Sequence, residues 1–457
     1  MATLGPLLRT ALERIDRGEP ARGAHERQVL AADAGTPAAP DAPVHGARLP
    51  LVVQFGRTRP RRGERWPEFR ERVARSLEPA CDAIAADEGR PLYLANALAC
   101  SFAIERIPEL AARDDVSLIE LDPRVDPTLM DDAVEDVGLG QFRQRHGEPG
   151  GAGVRVAVLD SGIDLRHPYL KVAESMSTCD EDVAIPGRHG THCAGALASR
   201  DPVFPGIAPE VELLNVKVLR HDGSGRHTNV TKGIDAALDL EAQILSISLG
   251  FNHLPTWSDG GHGWHCPNGR CPLCMAVDNA TAFGALVVVA AGNEHMRAET
   301  LSRFGQSAGF DTELCCPGQA RGALTVGALT KRSFLPAGFS SRGPAAWGGV
   351  KPDLAAPGVN LMSTIPVPRL PDGQLAPDPA RADLFGRASG TSAATPIVAG
   401  AAALLLQAAR ASGRSIGAAA LRRRLLEQAV SPMSLPPTLV GAGRLDLGRF
   451  GVKLVGS

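Results

Sequence analysis

Long apolar runs alternate with segments of helical period between Gly150 and Leu329, and this alternation limits the fold more than any other feature. The apolar runs, in chain order, are VRVAVLD, ELLNVKVL, AQILSISLG, ALVVVAAGN and GALTVGAL. A strand that is apolar throughout is buried on both faces, as in a parallel sheet covered by helices. The pattern therefore predicts an α/β domain with a mainly parallel sheet. In such sheets, the groups that do chemistry follow the carboxyl ends of the strands.

Length and charge exclude several classes of protein. The 457 residues are 44% hydrophobic, which is enough for one large core and an accessory domain. Lys and Arg number 48 against 50 Asp and Glu, so we expect neither a nucleic acid nor an anionic membrane as partner. Arg9, Glu13 and Arg14 interrupt the segment where a signal peptide needs an apolar stretch. No apolar run reaches the roughly 18 residues of a membrane span, and we expect a cytoplasmic protein.

The chain before residue 151 has a different organisation. We expect residues 1–49 to contain a helix and then a flexible Ala/Pro-rich linker. The predicted helix places on one face Leu4, Leu7, Leu8, Leu12 and Ile15. Residues 50–125 contain two strand–helix–strand patterns, which predict a small α+β domain. Residues 126–150 are then a linker to a larger domain at 151–457.

Four polar side chains that together could perform acyl transfer stand at strand ends or helix starts. Asp160 follows VRVAVL, Asn293 follows ALVVVAAG, and His189 begins the small-residue segment HGTHCAG. Ser392 precedes the apolar helix IVAGAAALLLQAA, and a helix N-terminus favours developing negative charge. Histidine can take a proton from serine near neutral pH, a carboxylate can orient the imidazole, and an amide can hold an oxyanion.

The sequences around these four residues resemble the motifs of the subtilisin-like serine peptidases, the subtilases. VAVLDSGID is similar to the Asp motif, HGTHCAG to the His motif, AAGNE to the oxyanion motif and GTSAATPIVAG to the Ser motif. The chain order Asp, His, Ser is also that of subtilisin. Further matching blocks are VKVLRHDGSG, SISLG, FSSRGP and KPDLAAPG. The resemblance covers about residues 137–450 and implies a subtilisin-like three-layer αβα fold with a mainly parallel sheet.

This resemblance implies a role for each matching residue. Ser392 would be the nucleophile, His189 the general base and acid, and Asp160 the residue that orients the imidazole. Asn293 and the N–H group of Ser392 would form the oxyanion hole. The substrate backbone would pair, by strand addition, with two extended segments. These segments comprise Gly223, Ser224, Gly225, Ser248, Leu249 and Gly250, and Cys315 would lie in the floor of the primary specificity pocket.

Two small residues depart from the family pattern, and a second histidine needs an interpretation. Cys193 stands where the family commonly has Val, and Ala393 where it commonly has Met. Neither change removes a catalytic group. His192 follows His189 by three residues, and we expect it to support packing rather than chemistry.

The segment ALACSFAIERIPELAARDDVSLIELD is similar to the end of subtilase prodomains, which act as inhibitor and folding chaperone. This likeness implies a ferredoxin-like α+β domain at 50–125, with two helices on a four-stranded sheet. It also implies a latent zymogen that cleaves itself between about Val125 and Gly150. An α+β domain unrelated to prodomains is the alternative interpretation.

A cysteine-rich insertion at 251–274 interrupts the second half of the chain. It contains Cys266, Cys271 and Cys274, and the last two have the C-x2-C spacing of zinc sites. The alternatives for a fourth ligand are His262, His265 and a distant cysteine, for which Cys315 and Cys316 are the candidates. Structural zinc, one or two disulfides, and free thiols all remain open. An odd total of nine cysteines argues against a disulfide framework.

The sequence therefore predicts a serine endopeptidase that works through an acyl-enzyme on Ser392. Its partners would be an extended polypeptide substrate and its own prodomain. The chemistry would need no cofactor. Family members often bind structural calcium; the resemblance leaves calcium open for this chain, with no assignable site. Two alternatives remain: a peptide macrocyclase or transpeptidase of the same fold, and a catalytically silent protein-binding module.

Overall fold

The computed structural model describes residues 3–4, 8, 48–56, 58–84, 89–121, 126–127, 135–251, 266, 268–303, 312–370, 374–376, 379–431 and 435–451. Its strands are β1 Thr3–Leu4, β2 Arg48–Gln54, β3 Arg90–Leu92, β4 Ala97–Ala103, β5 Leu118–Leu121, β6 Asp126–Pro127, β7 Arg155–Asp160, β8 Val172–Ser177, β9 Glu212–Lys217, β10 Ile244–Ile247, β11 Leu249–Gly250, β12 Leu286–Ala290, β13 Leu324–Leu329, β14 Leu354–Pro357, β15 Leu361–Thr364 and β16 Phe385–Ala388. Its α-helices are α1 Trp66–Ile84, α2 Ile107–Ala111, α3 Leu139–His146, α4 Arg188–Ala198, α5 His227–Asp239, α6 Pro272–Ala282, α7 His295–Arg303, α8 Thr391–Ala411, α9 Ala418–Glu427 and α10 Pro437–Val440.

A seven-stranded sheet forms the centre of the larger unit, with the order β14-β13-β12-β10-β7-β9-β8. All six neighbouring pairs are parallel. Successive residues of β7 enter opposite cores, because side chains alternate across a strand. Val156 and Val158 pack in the core that contains α4 and α8, whereas Ala157 and Leu159 pack in the core that contains α5 and α6. The predicted three-layer αβα fold is confirmed.

Helix α8 crosses the middle of one core. Among the described residues, it is the helix with the length and hydropathy of a membrane span, but 94% of its apolar window is buried inside the protein. Small residues along this helix allow it to approach the sheet closely, and it packs against β10, β12, β13 and β14.

The N-terminal unit is a second, smaller sheet with the order β1-β5-β2-β4-β3. From β2 to β5, its elements alternate as strand, helix, two strands, helix and strand. This arrangement is the predicted ferredoxin-like α+β fold. The sheet has an additional strand at its edge, because Thr3–Leu4 pairs in parallel with Leu118–Ile119.

The predicted N-terminal helix is therefore wrong at its start. Thr3 and Leu4 form a strand, and Leu8 is buried in the core of the small unit. Residues 9–47, including Leu12, Ile15 and the predicted linker, lie outside the described residues. The apolar spacing at 4, 7 and 8 fits one face of a helix but not of a strand, whose side chains alternate. Pairing with β5 makes Thr3–Leu4 a strand despite this spacing.

The small unit packs against α5 and α6 of the larger unit. Trp66 and Phe69 from α1 enclose Phe283, with ring centroids at 5.5 and 4.8 Å. Trp66 Nε1 donates to Asp239 Oδ1 at 2.9 Å, and Arg70 forms an ion pair with the same carboxylate at 2.7 Å. Aromatic side chains thus supply the apolar centre of this interface, and one carboxylate at the end of α5 fixes its rim.

Candidate active site

The four predicted catalytic residues stand at strand ends and helix starts, as the sequence indicates. Asp160 is the last residue of β7, and Asn293 follows β12 by three residues. His189 is the second residue of α4, and Ser392 is the second residue of α8. Because β7 and β12 are parallel and separated only by β10, their carboxyl ends lie at the same edge of the sheet.

Asp160 and His189 form a buried hydrogen-bonded pair. His189 Nδ1 lies 2.8 Å from Asp160 Oδ1 and 2.9 Å from Oδ2. The N–H group and hydroxyl of Ser161 also donate to Oδ1, at 2.6 and 3.1 Å. An Nδ1–H group that donates to a carboxylate leaves Nε2 as the basic nitrogen of the ring. The geometry therefore fixes the imidazole tautomer.

The electrostatics of this pair favour the imidazolium. Burial by itself disfavours a charged ring, but the Asp160 carboxylate outweighs it through its charge and its hydrogen bond. The pKa of His189 consequently lies well above its usual range. Cys193 Sγ lies 3.8 Å from His189 Nδ1, and burial raises the pKa of this thiol. Cys193 is therefore a neutral neighbour of the ring.

A proline in α8 explains how the backbone of Ser392 is held. The carbonyl of Ser392 would normally accept a hydrogen bond from the N–H group four residues later, but Pro396 has none. Ser248 Oγ donates to that carbonyl instead, at 2.9 Å, and Cys193 Sγ lies 3.8 Å away. Because Pro396 leaves this carbonyl without its usual helical donor, Ser248, which precedes β11, can bond to it and Cys193 of α4 can approach it. Both contacts hold the backbone of the candidate nucleophile in place.

The amide of Asn293 is anchored on the residue before Ser392. Its Oδ1 accepts from the N–H group of Thr391 at 2.9 Å and from Thr391 Oγ1 at 3.1 Å. Thr391 Oγ1 in turn accepts from the N–H group of Gly292 at 3.1 Å. With Oδ1 held in this way, Nδ2 is the end of Asn293 that can donate to an oxyanion. Thr391 is a positioning residue that the sequence motifs did not single out.

One predicted substrate-binding segment pairs with the chain's own linker. Leu249 and Gly250 form β11, which is antiparallel to Asp126–Pro127, with Leu249 opposite Pro127. These two residues come after the small unit, whose last strand ends at Leu121. The edge that the sequence assigns to a substrate strand therefore carries residues of this chain.

The other predicted segment has a different local structure. The N–H group of Arg220 donates to Ser224 O at 2.8 Å and that of Gly223 to Arg220 O at 2.9 Å, so Gly223 and Ser224 form a tight turn. Gly225 follows this turn and has no regular strand pairing among the described residues. Its missing side chain allows close contact, because a Cβ there would lie 2.5 Å from Leu219 Cδ2.

Cys315 lies between two glycines beside the candidate site. A Cβ added to Gly250 would lie 2.8 Å from Cys315 Cβ, and one added to Gly292 would lie 2.5 Å from Cys315 Sγ. Only glycine allows the two strand ends to approach this residue so closely. Burial raises the pKa of the Cys315 thiol well above its usual range, so it stays protonated.

His192 is buried one turn further along α4 than His189. Its Nε2 lies 3.2 Å from Leu361 O and 3.1 Å from Gly386 O, which belong to β15 and β16. Burial lowers its pKa to about 4, so the ring is neutral near pH 7. These contacts support packing of the two-stranded sheet against α4.

The cysteines of the insertion converge with a fourth, Cys316, from outside the insertion. The sulfur atoms of Cys266, Cys271, Cys274 and Cys316 all lie within 4.8 Å of one another, and all four residues are buried. His262 and His265, the other candidate ligands, lie outside the described residues. Adjacent residues in an extended segment point to opposite sides, so only one of Cys315 and Cys316 can face the insertion. The sequence alone does not indicate which of the two does.

A family model described as the Subtilase family matches residues 151–447. This range contains all four candidate catalytic residues and nearly two thirds of the chain. The chain belongs to the subtilase family.

Curated relatives of this subtilase are bacterial proteases. It is 35% identical over 278 residues to serine protease AprX of Bacillus subtilis, an alignment that covers 56% of this chain and 58% of AprX. It is 32% identical over 308 residues to the intracellular serine protease of Paenibacillus polymyxa, covering 65% and 80% of the two chains. For subtilisin E of B. subtilis the identity is 33% over 261 residues, 56% of each chain. The match thus spans less than two thirds of AprX and of subtilisin E.

Proposed function

We propose that this subtilase is a serine endopeptidase that hydrolyses peptide bonds through an acyl-enzyme on Ser392. One observation carries the proposal. The buried Asp160–His189 hydrogen bond at 2.8 Å lies at the sheet edge where Asn293 is anchored to the residue before Ser392. Acyl transfer needs an activated nucleophile, an oriented base and an oxyanion donor, and these residues supply all three.

The reaction proceeds in two halves. His189 Nε2 takes the proton from Ser392 Oγ as the oxygen attacks the substrate carbonyl. Asn293 Nδ2 and the N–H group of Ser392 donate to the tetrahedral oxyanion, and the start of α8 adds its dipole. The imidazolium, stabilised by Asp160, then protonates the leaving amine and the C–N bond breaks. A water molecule repeats the sequence on the ester, which releases the acid and restores Ser392.

The substrate is proposed to bind as an extended strand on Leu249–Gly250. The pairing of Asp126–Pro127 with this edge supports the proposal, because a substrate strand could form the same antiparallel backbone hydrogen bonds. Cys315, between Gly250 and Gly292, would then border the pocket for the side chain before the scissile bond.

Turnover of a peptide library tests the activity. The wild-type chain is expected to cleave peptides internally, and Ser392→Ala is expected to have no measurable turnover. Ser412→Ala, at the other end of the same helix, is the matched control and should retain activity. Each product pair should gain the mass of one water molecule; products without that gain would indicate transfer to an amine instead. Equal turnover by Ser392→Ala would contradict the proposal.

We also propose that the chain is made as an autoinhibited zymogen that cleaves itself in the linker. Ser392 is 0% exposed and His189 is 5% exposed, so the reacting atoms are covered in this conformation. The linker residues Asp126–Pro127 occupy the proposed substrate edge, and the small unit packs against α5 and α6. Together these features describe an inhibitor held on the enzyme by its own chain.

Comparison of wild type with Ser392→Ala tests this latency. The wild-type chain should be cut between about residues 125 and 150, while Ser392→Ala should remain at full length. Adding active wild-type protein to Ser392→Ala separates cleavage within one chain from cleavage between chains. Equal cleavage in both purified proteins, each prepared alone, would contradict self-processing.

We further propose that the protein acts inside the cell. The support is that two similar proteins, one of P. polymyxa and one of B. subtilis, are called intracellular serine proteases. Fractionation of the native host followed by immunodetection tests this location, and recovery mainly from the culture medium would contradict it.

A further inference from the structure

Four buried thiols from two separate stretches of the chain meet beside the candidate active site. Cys266 comes from the insertion, Cys271 and Cys274 from the start of α6, and Cys316 from the segment after Cys315. We call these four residues the cysteine cluster. All four are at most 6% exposed. The active-site chemistry described above uses none of them.

The spacing within the cysteine cluster is that of a tetrahedral metal site. Zinc–thiolate bonds of about 2.3 Å place the sulfurs of a regular tetrahedron about 3.8 Å apart. The Sγ atoms of Cys274 and Cys316 are 3.5 Å apart, those of Cys271 and Cys316 are 3.7 Å apart, and those of Cys266 and Cys274 are 4.0 Å apart. The sulfurs of a disulfide are about 2.05 Å apart. One small ion fits between four sulfurs at the observed distances.

The local backbone favours thiolates in this cluster. Cys271 is the N-cap residue of α6 and Cys274 lies in its first turn, where the helix dipole stabilises negative charge. The N–H group of Cys271 also donates to Cys266 Sγ at 3.3 Å. Amide donors to the ligating sulfur are the usual support of a metal–thiolate site.

Without a cation, the same burial works against ionisation. Burial raises the pKa of the Cys274 and Cys316 thiols well above the usual range and raises that of Cys271. Buried neutral thiols have only weak hydrogen bonds to offer one another. A divalent ion would replace their protons and supply the missing charge compensation.

We propose that Cys266, Cys271, Cys274 and Cys316 bind one zinc ion as four thiolates in a closed, structural site. The four protons leave to solvent as Zn²⁺ binds, and no oxidation or reduction takes place. All four positions of the ion are filled by protein, so the site has no room for a catalytic water.

The zinc site would hold in place the segment that follows β11. Its effect on substrate binding rests on the proposed function, in which β11 is the substrate edge. The N–H group of Phe251 donates to Cys316 O at 2.8 Å, and that of Cys316 donates to Phe251 O at 3.1 Å. Phe251 directly follows β11, and Cys315 directly precedes Cys316. The ion would therefore join the proposed pocket floor to α6, the helix on which the small unit packs.

Metal and thiol analysis of the full-length Ser392→Ala chain tests the site without reference to catalysis. We expect about one zinc ion per chain. Denaturation together with a thiol reagent should release that zinc, and all nine cysteines of the chain should then react. Stoichiometric iron instead of zinc would overturn the assignment, as would a zinc-free chain, with its thiols either all reactive or lost to disulfides.

Cysteine variants locate the ligands. Cys316→Ser should lose the zinc, whereas Cys315→Ser, at the next residue, should keep it because its sulfur lies against Gly292. Cys179→Ser, a partly exposed cysteine away from the cluster, is a second control. Zinc retained by Cys316→Ser at wild-type affinity would overturn the proposed ligand set.

A second measurement covers the case in which Cys316→Ser does not fold. Wild-type protein grown with cobalt in place of zinc should show the absorption of a tetrahedral four-thiolate Co²⁺ site, and adding zinc should abolish it. Absence of thiolate-to-cobalt absorption in a folded cobalt-loaded chain would contradict the proposal. Neither readout depends on peptidase activity, so failure of the zinc site and failure of the proposed function are distinguishable.

Discussion

The Asp160–His189 pair and the cysteine cluster are both buried, but they solve the problem of buried charge in opposite ways. The pair contains its own compensation, because a carboxylate faces a ring that can become positive. The cluster brings together four groups that can only become negative. The charges of the Asp160–His189 pair compensate each other within the folded chain, whereas the thiolates of the cysteine cluster need a cation from solution. A change at one centre should therefore leave the other unaffected.

Removing the charge of Asp160 should have the largest effect. Asp160→Asn keeps the shape but loses the carboxylate that orients His189, and we expect kcat to fall by about 10⁴-fold. Zinc content and the thermal midpoint should stay near the values of the parent chain. Steady-state peptide hydrolysis and metal analysis on the same sample measure both. Loss of zinc in this variant would show that the two centres are coupled.

Removing the oxyanion donor should have the next largest effect. Asn293→Ala is expected to lower kcat by roughly 10²–10³-fold with little change in KM, because the amide acts on the transition state. Thr391→Val removes one of two donors that hold Asn293 Oδ1 and should cost about tenfold or less. Thr391→Ser, which keeps the hydroxyl, is the matched control. A larger loss in Thr391→Val than in Asn293→Ala would contradict the assigned roles.

The pH dependence of peptidase activity should reflect the charge compensation between Asp160 and His189. Only the neutral imidazole can take a proton, so activity is present above the pKa of His189 and lost as pH falls through it. That pKa lies above the usual range, and the loss should therefore begin at a higher pH than for an ordinary histidine. In Asp160→Asn the midpoint of the residual activity should move to lower pH. A midpoint that does not move would contradict the electrostatic account.

Another buried acid, Asp235, should give the smallest effect. Burial raises the pKa of Asp235 to about 8, although the N–H groups of Leu94 and Tyr93 donate to it and Arg70 lies nearby. Asp235 is thus protonated when the small unit is packed against α5 and ionised in the unfolded chain above about pH 4. Its stabilisation is complete below that pH and is lost as pH rises towards 8.

Thermal unfolding of the Ser392→Ala chain between pH 5 and pH 9 measures this contribution. The midpoint should fall with rising pH, and Asp235→Asn should reduce the slope, because it keeps the shape without titrating. An unchanged slope in Asp235→Asn would exclude Asp235 as the titrating group.

The sequence predicted most of the large unit because its signals are local. Each catalytic candidate follows an apolar run or opens a helix, and a parallel sheet necessarily brings the carboxyl ends of its strands together. The sequence therefore predicts the roles of Asp160, His189 and Asn293 without any information on distant contacts. Thr391 was missed because its role depends on a hydrogen bond to Asn293, 98 residues away.

Features that depend on long-range pairing could not be predicted. Thr3–Leu4 was predicted as helix because its partner, Leu118–Ile119, is more than a hundred residues away. The pairing of Asp126–Pro127 with β11 has no sequence signal, since two residues carry no periodicity. Cys316 could be separated from Cys315 only when the register of its bridge to Phe251 was known.

Active-site labelling tests the central claim most directly. The processed protein is treated with a fluorophosphonate, which reacts with a serine only when a base and an oxyanion hole activate it, and is then digested and mapped by mass spectrometry. We predict one label per chain, on Ser392, and no label in His189→Ala. Failure of folded, processed protein to react, or reaction at a different serine, would contradict the assignment of Ser392 as the nucleophile.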